Sequence, residues 1–224
     1  AVHYAIEQSL NKDLDFTAAY GFFLQKFNDL FLKIPLVKRQ TIYKNVWLKK
    51  GEEMLTYFFE EIFERAKKGK VETEYYFSQP IDEDTVFNGL IDLIFCENME
   101  DIELWDWKTG KKMDEKDNFQ LRLYALFFQK RTELLAKRLN YIFLKTGSKN
   151  STEINLDTLE QTEKELKDIV SNIKTCIKNN DFERNAQSHC KYCPVKDACE
   201  QQLKANDSNF NERESGLPFD NPHI

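Results

Sequence analysis

No apolar run in this chain approaches the roughly 20 residues that a membrane-crossing helix needs, because charges interrupt every hydrophobic patch. The start carries no secretory hydrophobic stretch either. Internal repeats and low-complexity segments are absent, so neither a solenoid nor a disordered tract is expected. Cysteine is scarce: there are five, an odd number, with three crowded between Cys190 and Cys199. That placement argues against a disulfide framework and for a metal site in a reducing compartment, so a cytoplasmic protein is expected. The net charge of −6 is not the positive field common in nucleic-acid-binding domains, so any such partner must be met by local charge. The sequence opens on alanine with a helical pattern already running, and we expect its natural beginning to lie upstream.

What is present is ample core material. Hydrophobic residues make up 41 % of 224, with 18 phenylalanines and 9 tyrosines, enough for one large domain or a domain with a small appendage. Apolar positions recur at helical spacing from Val2 to about Leu10, from Phe16 to Ile34 before Pro35, and from Glu52 to Lys68. After Gly69 the period becomes two. "KVETEYYFSQ", "TVFNGLIDLIF" and "DIELWDWKTG" predict an antiparallel meander. A helix is predicted from Phe119 to about Lys137. A buried strand follows in "LNYIFLKTG", then a short edge strand in "STEINLD", then a long helix from Thr158 to Lys178. The order predicts one α/β domain with a cysteine-bearing tail.

The stretch "WDWKTGKK", Trp105 to Lys112, places an acid and a lysine inside a strand that should bury itself. Residues two apart on a strand share a face, so Asp106 and Lys108 project side by side, opposite Trp105 and Trp107. The preceding strand carries Asp92 deep in an apolar run, with Gly89 three residues earlier. A glycine inside a strand marks a close approach by another backbone or a ligand. If the two strands form a hairpin through "CENMED", Asp92 and Asp106 lie across from each other. Carboxylates that close repel unless a cation sits between them, and hard cations such as Mg²⁺ or Mn²⁺ choose oxygen ligands. With Lys108 beside them, the parts for metal-assisted phosphodiester hydrolysis are assembled.

"NGLID", then "WDWK", then "QLRLY" resembles the PD-(D/E)XK nuclease superfamily, and within it the RecB-like branch. Gln120 and Tyr124 supply a glutamine-x-x-x-tyrosine pair on one helical face. The resemblance implies a restriction-endonuclease-like core: a mixed central sheet flanked by helices, with a helical N-terminal insertion and a C-terminal cysteine cluster. It implies a nuclease domain over residues 1–185 with the insertion at about 16–68, and a cysteine cluster with a polar tail over 186–224 packed on the same domain. "VHYAIE" resembles the branch's metal-binding histidine helix, which makes His3 a ligand and Glu7 a supporting residue. Catalytic roles then fall to Asp92, Asp106, Lys108, Gln120 and Tyr124. The metal set is His3, Asp92, Asp106 and the backbone carbonyl of Trp107.

"HCKYCPVKDAC" spaces Cys190, Cys193 and Cys199 as C-x₂-C-x₅-C, a density that binds zinc or iron–sulfur. Relatives of the AddB type and the CRISPR-associated type imply a [4Fe–4S] cluster whose fourth cysteine lies upstream of the histidine motif. Neither Cys96 nor Cys176 matches that position. The alternatives are a Zn²⁺ site using His189 or an empty remnant. Lys111 and Lys112 are expected to meet DNA phosphates, with Lys67, Lys68, Lys70, Lys130, Arg131, Lys137 and Arg138 as weaker candidates. The expected activity is a divalent-metal-dependent deoxyribonuclease, an exonuclease acting on DNA ends or single strands. Its settings would be DNA repair, recombination, or phage or mobile-element DNA processing, alongside a helicase or recombination partner. Rival readings are an inactive nuclease-fold DNA-binding or scaffolding module, a zinc-bearing interaction domain, and a CRISPR-associated nuclease.

Overall fold

A computed structural model describes residues 1–40, 42–98, 101–110, 118–182, 186, 190 and 193–199. The chain divides into two compact units, Ala1–Lys174 and Thr175–Ile224. In the first unit, α1 (Val2–Lys12) stops at Asp13, which turns left-handed at φ 50°. α2 (Phe16–Lys33) starts at Asp15, whose carboxylate accepts the Ala18 N–H at 2.8 Å and satisfies one orphan donor of the first turn. Pro35 stands just past its end. A single turn, α3 (Leu36–Arg39), leads to α4 (Lys44–Phe58), which runs on through a π-helical turn at Phe59–Phe63 into α5 (Glu64–Lys68).

Helical spacing of the apolar residues predicts this last segment only from Glu52. The helix instead begins eight residues earlier. Gly51 is required by packing: a Cβ there would lie 2.1 Å from the Phe23 ring, so only glycine lets α2 and α4 approach this closely. The π turn then widens the helix so that Phe58, Ile62 and Phe63 all stay buried.

Five strands form one mixed sheet in chain order: β1 (Lys70–Pro80), β2 (Val86–Cys96), β3 (Ile102–Lys108), β4 (Arg138–Phe143) and β5 (Ser148–Glu153). The first three are the antiparallel meander read from the sequence. β3 and β4 run parallel, and α6 (Phe119–Thr132) is the crossover that a parallel pair needs. β5 returns antiparallel to β4. α6 and α7 (Leu156–Asn179) cover one face of the sheet over Phe77, Leu104, Leu121, Phe127 and Leu139. α1, α2 and α4 cover the other over Phe95, Trp105, Trp107 and Ile142. With both faces covered, every β3 residue from Ile102 to Trp107 is buried.

Three details depart from the sequence reading. α6 ends at Thr132, not near Lys137, because Glu133 turns left-handed at φ 63°. β5 begins at Ser148, three residues before the predicted edge strand, since its polar run shows no alternation to mark it. Gly89 makes room not for a backbone or ligand but for the Phe77 ring, whose Cζ would sit 2.1 Å from an added Cβ. Among the described residues, no helix is long and apolar enough to cross a membrane.

Candidate active site

The site grows from an irregularity shared by β1 and β2. Thr73 pairs with Leu93 and Tyr75 with Ile91, leaving Glu74 and Asp92 at the same level but outside the ladder. Glu74 takes φ 51°, a left-handed conformation that costs a non-glycine residue about 1–3 kcal/mol and concentrates at functional sites. The faces change there. Ile91 belongs to the core under α6, whereas Leu93, two residues on, belongs to the core under α4.

Beyond Leu93↔Trp105 the β2–β3 ladder also ends. The Asp92 carboxylate sits at the resulting fork, where Oδ2 accepts the Trp107 N–H at 2.7 Å. Its other oxygen lies 3.5 Å from His3 Nδ1 on α1. His3, Glu74 and Asp92 bring ligand atoms within 4.8 Å of one another. A strand residue's N–H and C=O point the same way, so the Trp107 carbonyl faces this fork too.

Asp106 lies one step further along β3, just past Leu93↔Trp105, the last pair of the β2–β3 ladder. Its side chain shares the face of Lys108, as the strand period requires. Lys108 Nζ is 2.8 Å from Asp106 Oδ2 and donates to Gln120 Oε1 at 3.1 Å. Gln120 Nε2 donates to Asp106 Oδ1 at 3.3 Å and to the Tyr124 hydroxyl at 2.8 Å. One amide thus ties the acid, the lysine and the tyrosine together, and the i, i+4 spacing on α6 sets that geometry.

Charge at this site is unbalanced. Burial raises the Asp106 pKa and the Asp92 charge adds to the rise, while Lys108 pulls the other way. Burial also raises Glu74, helped by the charges of Asp92 and Glu7. Burial opposes protonation of His3, but the Asp92 hydrogen bond and the charges of Asp92, Asp106 and Glu74 outweigh it and raise its pKa. Tyr124 is raised by burial first, then by Asp106 and Asp92. A cluster in which Asp106 and Glu74 hold their protons above the ordinary carboxylate range, built from oxygen donors and one imidazole, fits a hard divalent cation.

The sequence profile of the PD-(D/E)XK nuclease superfamily matches residues 1–200. The chain belongs to that superfamily. Its five-stranded mixed sheet flanked by helices is the restriction-endonuclease-like fold. No curated protein matches the chain. Among solved structures, the crystal structure of SSO0001 is similar at 15 % identity and a TM-score of 0.39, over 73 % of this chain and 79 % of that one.

Of the residues this PD-(D/E)XK chain was expected to use, the structure gathers His3, Asp92, Asp106, Lys108, Gln120, Tyr124 and the Trp107 backbone around one fork. Asp106, expected in the metal set, engages Lys108 and Gln120, while Glu74 completes the closest group of ligands. Glu74 was missed because "VETEYYF" keeps its odd positions apolar or β-branched throughout, so nothing in the pattern marks the change of face. Several predicted phosphate contacts are committed elsewhere. Arg138 Nη2 lies 2.7 Å from both Asp101 and the buried Glu103, Lys67 pairs with Asp13, and Lys130 pairs with Glu163. Lys68, Lys70 and Lys137 are exposed, and Arg131 donates to the Tyr76 carbonyl at 3.3 Å. Lys111, Lys112 and His189 lie outside the described residues.

In the second unit, the Cys193 N–H donates to the Cys190 carbonyl at 3.1 Å and the Cys199 N–H to Val195 at 3.0 Å. The residues from Cys193 to Cys199 are thus wound into a short helical stretch. None of Cys190, Cys193 and Cys199 is in a disulfide.

Proposed function

We propose that this chain is a divalent-metal-dependent deoxyribonuclease of the RecB-like branch, acting as an exonuclease on DNA ends or single strands. The observation that carries the reading is the convergence of His3, Glu74 and Asp92 beside the Asp106–Lys108–Gln120 network.

In this mechanism His3, Glu74, Asp92 and the Trp107 carbonyl, with Asp106, would hold Mg²⁺ or Mn²⁺. Such a cation would supply Lewis-acid polarisation of the scissile phosphate and a more acidic water. Lys108 orients the attacking water and offsets charge growing on the phosphate oxygens. The water oxygen forms the new P–O bond and gives up a proton to solvent, the bond to the leaving sugar oxygen breaks, and that oxygen takes up a proton from solvent. Gln120 fixes Lys108 relative to Asp106, and Tyr124 fixes Gln120. Cys190, Cys193 and Cys199 would supply three thiolates to a [4Fe–4S] cluster completed by a ligand outside this set, with Zn²⁺ as the alternative. DNA repair, recombination or mobile-element DNA processing, with a helicase or recombination partner, are the settings this reading suits.

The test is cleavage of end-labelled linear single- and double-stranded DNA with Mg²⁺, Mn²⁺ or chelator, beside Asp106→Asn. Metal-dependent release of label, lost in Asp106→Asn, is expected. DNA that is bound yet survives every metal would move the inactive DNA-binding module ahead. Iron and sulfide analysis of the purified protein decides between the cluster and zinc.

A further inference from the structure

Charge is segregated along this chain. Residues 21–50 contain seven lysines and arginines and a single acid, Asp29, although the whole chain is at −6. The same segment exposes large apolar side chains: Leu30, Leu32, Leu36, Val37, Tyr43 and Val46, with Val37 at 77 % and Tyr43 at 81 %. Among the described residues, neither Lys33 nor Lys44 has a carboxylate in ion-pair range, and Lys44 lies over the Phe31 ring at 5.4 Å. Singly exposed apolar residues need no explanation, but six within one short, basic projection do.

The projection stands at the candidate active site's end of α1. α2 runs antiparallel to α1, with Phe22 against Tyr4 at 6.1 Å and Lys26 Nζ 5.0 Å from the Tyr4 ring. Tyr4 adjoins His3. The seven residues of α2 beyond Lys26 therefore extend about 10 Å past the first turn of α1. α3 and the start of α4 close the tip.

We propose that this tip, residues 30–40 and 42–46, binds the single-stranded part of a nucleic-acid substrate adjacent to the site of cleavage. The inference rests on the nuclease reading. Lysines without acidic partners neutralise phosphates and release counterions. The exposed Tyr43 ring gives a base a face on which to stack, tolerant of sequence, and the exposed aliphatic side chains around it extend that apolar surface. An anionic membrane would also attract cations and apolar side chains, but the position beside His3 favours the polyanion that the site would cut.

The experiment uses the full chain in chelator, so that nothing is cleaved, and a fluorescent 20-nucleotide oligothymidine followed by anisotropy across a salt series. The Lys33→Glu/Lys44→Glu double variant should weaken binding at least about tenfold and flatten the log–log salt slope by about 1.4. Tyr43→Ala should weaken binding about fivefold or more with the salt slope unchanged. Each substitution is at the exposed tip, and an unchanged Tm checks that the fold is kept. In metal, hydrolysis of the small diester bis(p-nitrophenyl) phosphate should be the same in wild type and variants. Unchanged oligonucleotide affinity in both variants overturns the proposal, as does loss confined to binding of phosphatidylglycerol vesicles. If wild type binds oligothymidine but cleaves neither diester nor DNA, the nuclease reading fails, while the binding losses still decide the tip.

Discussion

Gly89→Ala should destabilise the fold through a single contact, and the size of the effect can be worked from the geometry. The added Cβ would lie 2.1, 2.5 and 2.9 Å from three carbons of the Phe77 ring, where about 3.5 Å is comfortable. The ring must retreat by about 1.4 Å on that separation. It has nowhere to go: Phe77 is fully buried, with Phe87, Phe127 and Tyr124 at ring separations of 5.8, 5.7 and 5.9 Å. Overpacking of this kind costs about 1–3 kcal/mol. In a chain of this length each kcal/mol lowers Tm by about 2–4 °C, so a fall of about 2–12 °C is expected. Thermal or urea unfolding of wild type, Gly89→Ala, Phe77→Leu and the double variant measures it. The smaller side chain of Phe77→Leu should relieve the clash, giving a favourable coupling of about 1 kcal/mol in the double-mutant cycle. The reasoning fails if Gly89→Ala unfolds within about 1 °C of wild type, or if the two changes are simply additive. Because Tyr124 touches the same ring, activity should fall along with stability.

Gln120→Met keeps the shape of the side chain but removes all three hydrogen bonds that tie Asp106, Lys108 and Tyr124 together. A bond of this network to a charged group is worth about 1.5–3 kcal/mol, so kcat/KM should drop about 10- to 100-fold. Tm should barely move, since Gln120 is exposed; an activity within about twofold of wild type would remove Gln120 from the site. The pH dependence of stability has a definite sign. His3, Asp106 and Glu74 all have raised pKa values in the fold, so each binds its proton more tightly folded than unfolded. Their contribution is present at low pH and is lost as pH rises through the raised values. For the carboxyls that loss begins above about 4, and for His3 above about 6.5. Mn²⁺ or Mg²⁺ should therefore raise Tm more at pH 8 than at pH 5, and equal shifts at both would argue that the cation does not meet these groups.

The parts legible in the sequence are those whose signal is carried by chemistry at a fixed spacing. Asp106 and Lys108 share a face because the strand period is two, and Gln120 and Tyr124 do so because the helix repeats near four. The meander was visible because its strands are bounded by polar turns. Glu74 was hidden for the opposite reason: its position depends on a backbone twist that β1 and β2 make together, and no side-chain pattern records it. The early start of α4 was hidden by Gly51, whose meaning comes from a ring on another helix. The fate of Arg138 was equally invisible. Its partner Glu103 is fully buried at the other end of β3 and also accepts bonds from Arg65, Trp105 and Asn140.

Trp107 serves two masters with different parts of itself. Its N–H holds Asp92, while its indole lies against Phe58 and Trp105 at 5.9 and 5.6 Å. Since the carboxylate grips backbone, the site is indifferent to which side chain stands at 107 so long as an N–H is there. Evolution is then free to trade that indole for any residue the core accepts, and only proline, which has no N–H, is barred by chemistry rather than by packing. A motif search that demands an aromatic before the lysine would therefore miss functional relatives.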